Sequence, residues 1–447
     1  FNIIYSYYFN LYLNIDAYIY SLIISLLLGI SLFFNIKKDI KISIYEKIIV
    51  VLAGYIVIPL LIAVPFFLSI YNITFLDCYF EAVSGFTSTG FSIFSNIKHL
   101  DESLILWRST SQWIGGIYFL FSIILLIDVF DESLKKSLTN FLSFNTDEIL
   151  KQSFKILIFY SLLTLSVFIL LNLMNIRIFD AFNLSMSIIS SGGFLPVNNI
   201  DSIVTSDLKK IILSLILLVS FFSLFLSYNI IFFKRKNLNF FTEDFYLLIY
   251  FFSLTIIFFT FFNQNNNFPT ILFSITSSIS NIGISFNDTY QNLSFIFLLL
   301  VIVGGSFFST SSGIRFIKLY SLIKFSLNEL LSHTRPKYVY KNKFLFSENN
   351  IKINEINKYF LTILIFIISL IIISSLLTIF GFDIETAFKL GILTIMNTVN
   401  SSMYGINDLN FLSMNVFSKI TLIIFMIIGR IELLTIFIIC KKIFFRV

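Results

Sequence analysis

Four short stretches of this sequence set glycine among small hydroxyl and amide residues. They are Ser84-Gly85-Phe86-Thr87-Ser88-Thr89-Gly90, Ser190-Ser191-Gly192-Gly193-Phe194, Ser280-Asn281-Ile282-Gly283 and Ser401-Ser402-Met403-Tyr404-Gly405. No nucleotide-binding glycine loop and no catalytic triad pattern accompanies them, and two Cys with two His make no metal site. What such stretches can offer is backbone. Glycine permits the unusual angles that aim carbonyl oxygens in one direction, and a ring of carbonyls can replace the hydration shell of a potassium ion. The residues expected to line such an ion site are Ser88, Thr89 and Gly90, Ser191, Gly192 and Gly193, Asn281, Ile282 and Gly283, and Met403, Tyr404 and Gly405. The only metal in this reading is potassium on backbone carbonyls. No catalytic residue, enzyme activity or resident cofactor is expected.

Two other features invite a role. Residues 304–313 hold Gly304, Gly305 and Gly313 with Ser309, Thr310 and other hydroxyls, too polar for a helix that faces lipid. They are read as a stretch that does not face lipid, with a polar helix–helix seam as the plain alternative. Arg430 stands in an apolar run, at a cost of about 2.5–3.5 kcal/mol on insertion scales. It is read as an electrostatic brake in the pore or as half of a structural ion pair. Glu432 is close in sequence, but i and i+2 do not share a helix face. His99 and His333 are read as loop residues, and Asp128, Asp131 and Glu132 as a solvated helix end.

The elements that must position these residues follow from composition. The chain has 447 residues, 57% hydrophobic and 13% charged, with a mean hydropathy of +0.91. Apolar runs of about 20 residues, enough to cross a bilayer, recur along it. The fold class is therefore an all-α polytopic membrane protein; a β-barrel would alternate in short segments. Residues 1–47 read as an N-terminal transmembrane helix and a basic loop. Four repeats of long helix, short amphipathic helix, polar turn and second long helix follow, at 48–127, 155–233, 245–324 and 357–447. Repetition on this scale means one structural idea used several times, here four pore units around a central pore. The expectation is that Gly90, Gly193, Gly283 and Gly405 lie at one depth.

Twenty-three of the 31 Lys and Arg fall in the loops that join the units. The positive-inside rule makes those loops cytoplasmic and the turns outward-opening. Cys78 and Cys440 then lie near opposite faces, which argues against a disulfide. The chain opens on Phe1, which leaves room for a preceding segment, and no cleavable signal peptide is read in it.

The motifs resemble those of the Trk/Ktr/HKT superfamily of potassium transporters. Ser84–Gly90 is similar to its first filter loop, and Trp107-Arg108 with Gln112-Trp113-Ile114-Gly115-Gly116 to the helix that follows. Gly304-Gly305-Ser306 through Gly313-Ile314-Arg315 resembles its broken third-unit helix, and Gly429-Arg430-Ile431-Glu432 a motif near its C-terminus. The leading helix, the Trp-Arg stretch and the loop at 333–340 favour the Trk branch. The resemblance implies potassium uptake across the cytoplasmic membrane, with 304–313 as an intramembrane gate. It also implies a homodimer and a peripheral, nucleotide-binding, TrkA-like regulatory subunit, for which the basic faces at 234–236 and 335–343 offer docking charge. The chain departs from the family's usual small residues at Asn281-Ile282 and Met403-Tyr404, which keeps a Ktr-type sodium-dependent or Na+/K+ transporter as the alternative. A polysaccharide flippase would explain the hydrophobicity but not four glycine turns.

Overall fold

The computed structural model describes residues 1–34, 43–69, 71–126, 149–224, 226–227, 242–262, 268–287, 291–332, 353–406, 409–431, 435, 438 and 442. Helix α1, Asn2–Tyr8, is followed by α2, Ile15–Phe34. The first unit then comprises α3, Ile44–Phe67, α4, Phe75–Phe86, and α5, Glu102–Leu125. The second comprises α6, Ile149–Leu173, α7, Ile178–Ile189, and α8, Asp207–Phe221. The third has α9, Thr242–Phe262, α10, Phe268–Ile279, and a second long helix in two pieces, α11, Ser294–Ile302, and α12, Phe316–Ser332. The fourth has α13, Ile353–Ile379, α14, Ile384–Ile395, and α15, Val416–Arg430.

Local chemistry accounts for several of these boundaries. Ser43 and Glu46 form a reciprocal capping box at the start of α3. Thr74, Ser206 and Asn415 accept from first-turn N–H groups of α4, α8 and α15. Among the described residues, five helical segments are long and apolar enough to cross a membrane: Tyr12–Phe34, Ile44–Phe67, Gln152–Leu173, Glu243–Phe261 and Glu355–Ile379. They are the leading helix and the first helix of each unit. Their outer faces carry exposed Leu27, Ile158, Ile256 and Ile371, as lipid requires. Helix α5 by contrast buries a polar and small-residue face, Ser109, Ser111, Gln112, Gly115 and Gly116. The protein is an all-α, multi-pass membrane protein.

The units close into a ring because each second long helix packs on the short helix of the next unit. Helix α5 packs on α7, α8 on α10, α11 on α14, and α15 back on α4. A buried Lys419–Asp77 ion pair ties the last of these contacts. The first and third units are thus diagonal partners, as are the second and fourth.

The third-unit helix is interrupted where the glycine and hydroxyl run falls. Val303–Gly304 and Ile314–Arg315 form a two-residue parallel bridge that pinches off the intervening loop. The second unit holds a break that the apolar run to 233 gives no sign of. Helix α8 stops at Phe221, and Ser223 turns its N–H and hydroxyl to Asp244. Glu432, Cys440, His333, Asp128, Asp131, Glu132 and the basic stretches at 234–236 and 335–343 lie outside the described residues.

Candidate ion-binding site

The four short helices α4, α7, α10 and α14 are each 12 residues long. All four end in the same way. Two residues beyond the last helical residue the chain turns left-handed, at Ser88 (φ 58°), Ser191 (φ 58°), Asn281 (φ 58°) and Asn397 (φ 48°). Around each, N–H groups fold back on the last helical turn, as in Thr89 to Ser84, Gly192 to Ser187, Ile282 to Ser277 and Thr398 to Leu393. This is the Schellman cap, with Ser or Asn in place of the usual Gly. Two residues further stand Gly90, Gly193, Gly283 and Val399.

Those four residues converge. A Cβ on Gly90 would lie 2.9 Å from the Gly193 Cα and 3.1 Å from the Val399 Cβ. On Gly283 it would lie 2.7 Å from the Val399 carbonyl oxygen. Among the described residues, no donor reaches the carbonyls of Ser88, Thr89, Gly90, Ser191, Gly193, Asn281, Ile282, Gly283, Asn397, Thr398 or Val399. That of Gly192 accepts from the Ser187 hydroxyl. Buried carbonyls without partners are rare in folded chains, and here they cluster at the meeting point of four loops.

The left-handed residues also stitch the loops side by side. Ser191 donates to the Ser280 carbonyl. Asn281 Nδ2 donates to Thr398 Oγ1 at 3.3 Å and to the Val301 carbonyl at 2.8 Å. Asn397 Nδ2 donates to Thr89 Oγ1 at 2.9 Å and to the Met426 carbonyl at 2.9 Å. The loops are thereby linked from second to third, third to fourth and fourth to first. The remaining seam is bridged by Arg430, whose Nη2 lies 3.5 Å from both Ser88 Oγ and the Ser190 carbonyl. Gln112 of α5 supports the second loop: with its amide turned so that the nitrogen donates to Ser187 Oγ, its oxygen accepts from the Gly193 and Phe194 N–H groups at 3.1 Å.

Met403, Tyr404 and Gly405 are not at the convergence point, which corrects the sequence reading. Helix α14 ends at Ile395, so the left-handed turn falls on Asn397 and the ring position on Val399. Met403 and Tyr404 are buried beside the third unit, where Ser278 Oγ meets Met403 Sδ at 3.9 Å. Gly405 has its carbonyl on Lys389 Nζ at 3.1 Å, and its missing Cβ would face Ser294. The useful signal was spacing. Phe75, Ile178, Phe268 and Ile384 open the short helices at one constant interval before Gly90, Gly193, Gly283 and Val399.

On one side of the ring lies a cavity of ≈ 600 Å³ whose walls include Gly90, Gly193, Ile284, Val399, Asn400 and Arg108. Arg108 is buried there against Glu81, with its Nε 2.8 Å from Oε1, and its guanidinium lies 4.2 Å from the centroid of Phe194. On the other side lies a small space of ≈ 50 Å³ bounded by Phe119, Ser312, Arg315, Met396 and Arg430. The loop at 304–313 forms part of its wall. Glu243, which the sequence reading missed, holds this loop through the Ser306 hydroxyl at 2.9 Å and the Phe307 N–H at 3.1 Å. Thr310 donates to the Ile189 carbonyl at the end of α7. Arg315 donates to the Ser306 and Ser311 carbonyls and to Ser309. Arg430 donates to Ser312 and stacks 4.1 Å from the Phe119 centroid. Arg430 therefore touches the ring and the interrupting loop at once.

No family model matches the chain. Curated relatives match nearly all of it. TrkG of Escherichia coli, a Trk system potassium uptake protein, is 24% identical over 436 residues, covering 92% of this chain and 87% of that protein. TrkH of the same organism is 24% identical over 451 residues, covering 96% and 92%. An uncharacterized cation transporter of Methanocaldococcus jannaschii is 25% identical over 396 residues, covering 86% and 80%. The crystal structure of the potassium transporter TrkH from Vibrio parahaemolyticus superposes with a TM-score of 0.76 at 21% identity, covering 93% of this chain and 88% of that one. The resemblance to Trk-type membrane subunits read from the loop motifs thus holds along the chain, in sequence and in fold.

Proposed function

We propose that this chain is the ion-conducting subunit of a Trk-type potassium uptake system in the cytoplasmic membrane. The observation that carries this is the cluster of buried backbone carbonyls without donors at the junction of four equivalent loops. Such oxygens are desolvated at a cost, and a dehydrated monovalent cation repays it by taking their lone pairs. The proposed ion-binding residues are Ser88–Gly90, Ser191–Gly193, Asn281–Gly283 and Asn397–Val399. The loop at 304–313 and Arg430 form the proposed gate. A charge such as that of Arg430 repels a passing cation by roughly 2 kcal/mol at about 8 Å with an effective dielectric near 20. The names of the relatives, Trk system potassium uptake proteins, favour potassium as the ion. A homodimer and a cytoplasmic nucleotide-binding regulator complete the proposal, on the analogy of a multi-component Trk system.

The test is complementation. A bacterium without potassium uptake, carrying this chain, is expected to grow at low potassium. Purified protein in liposomes is expected to pass rubidium in preference to sodium. Growth rescue that depends on sodium would instead favour the sodium-coupled reading. Expressed, folded protein with no cation flux would refute the proposal.

A further inference from the structure

Three of the four ring positions are glycine and the fourth is Val399. The Cβ that Gly193 lacks would lie 2.4 Å from the Val399 Cβ, with Cγ1 and Cγ2 at 2.9 and 3.0 Å. The Cβ that Gly283 lacks would lie 3.0 Å from Val399 Cγ1, and that of Gly90 3.1 Å from Val399 Cβ. Gly193 belongs to the unit diagonally across the ring from Val399. One isopropyl group therefore reaches across the opening and touches all three glycines. It is half-buried and lines the ≈ 600 Å³ cavity, so it stands at the floor of that cavity, where the four loops meet.

Backbone geometry explains why valine is accepted at this one position. Gly90 and Gly283 have φ of 83° and 78°, where a β-branched side chain is strongly disfavoured. Gly193 and Val399 are not among the positive-φ residues. The ring thus alternates between two backbone forms, and only the second and fourth positions can take a side chain without backbone strain; with Val399 in place, Gly193 has no space for one. An apolar group in a narrow passage offers an ion no oxygen, and such constrictions gate by dewetting. Valine is also stiff about χ1, so swinging the isopropyl aside means leaving a preferred rotamer.

We propose that Val399 is the throughput-determining side chain of this pore: an apolar constriction at the mouth of the carbonyl ring that a monovalent cation must displace to enter. This rests on the proposed cation pathway. The experiment compares wild type with Val399→Gly, Val399→Ala and Val399→Ile in liposomes, reading rubidium influx and its competition by sodium. Relief of one off-rotamer step corresponds to about a tenfold rise in flux for Val399→Gly. Alanine is expected in between, and isoleucine below wild type. The order Gly, Ala, Val, Ile is the signature, because a merely structural role would lower flux for smaller and larger side chains alike. A flat series in a conducting protein, or lower flux in both Gly and Ala, overturns the role of Val399 and leaves the pathway standing. Absence of rubidium flux in every variant, wild type included, overturns the pathway and this inference with it.

Discussion

Replacing Arg430 by Gln separates its two contributions. Arg430 is buried at 1% exposure and donates to Ser312, with Nη2 near Ser88 and the Ser190 carbonyl. Its stack on Phe119 is worth about 1–2 kcal/mol, and its hydrogen bond to Ser312 about 1.5–3 kcal/mol, the two contacts at 3.5 Å adding little. Against these stands the cost of burying a guanidinium, several kcal/mol. The terms nearly offset, so Arg430→Gln is expected to fold and purify like the parent. The electrostatic barrier does not offset. Removing roughly 2 kcal/mol of repulsion raises cation flux about thirtyfold. Arg430→Lys keeps the charge and is expected to stay near the parental flux. The assay is rubidium influx into liposomes at matched protein density, with thermal unfolding in detergent as the control. A well-folded Arg430→Gln protein with unaltered flux would refute the brake and leave Arg430 as a strut between ring and loop.

Other substitutions address the ring and its supports. Asn397→Gly keeps the left-handed backbone but deletes the donors to Thr89 and Met426. The loss of about 1–3 kcal/mol should lower the unfolding temperature and weaken rubidium-over-sodium preference in liposome flux. Glu243→Gln turns an amide N–H toward the Phe307 N–H and should loosen the 304–313 loop, seen as higher basal flux with unchanged ion preference. Gly283→Ser forces a side chain to adopt a φ of 78° with its Cβ 2.6 Å from Thr398 Cγ2. The strain of about 1–2 kcal/mol at that carbonyl should raise the rubidium concentration for half-maximal uptake, and unchanged uptake would place Gly283 outside the ion path.

Much of the architecture was legible because membranes restrict what a chain can do. Backbone must be satisfied within helices at bilayer depth, so the apolar runs marked α2, α3, α6, α9 and α13 directly. The residues from Gly304 to Gly313 were legible as a stretch too polar to face lipid, and the resemblance to a broken third-unit helix supplied the interruption itself. What was not legible depends on long-range contact. Glu243 and Asp244 look like an ordinary acidic start to a helix, yet they hold Ser306, Phe307 and Ser223. Asn281 and Asn397 look like turn residues, and only the closed ring shows that their amides join neighbouring loops.

The fourth loop shows where the residue pattern misled. A pattern that marks the ring position by glycine points to Gly405, which does have a positive φ of 65°. But glycine is required only where φ is positive or where backbone approaches closely. The ring position after α14 has ordinary backbone, as does Gly193 across from it. Side-chain space, rather than backbone angle, decides which residue fits there. Three glycines leave room for one isopropyl group and no more: a second side chain at Gly193 would fall 2.4 Å from the Val399 Cβ. Val399 and the three glycines therefore form one unit of packing. The residue type at the fourth position carries information about throughput that a glycine-based pattern discards.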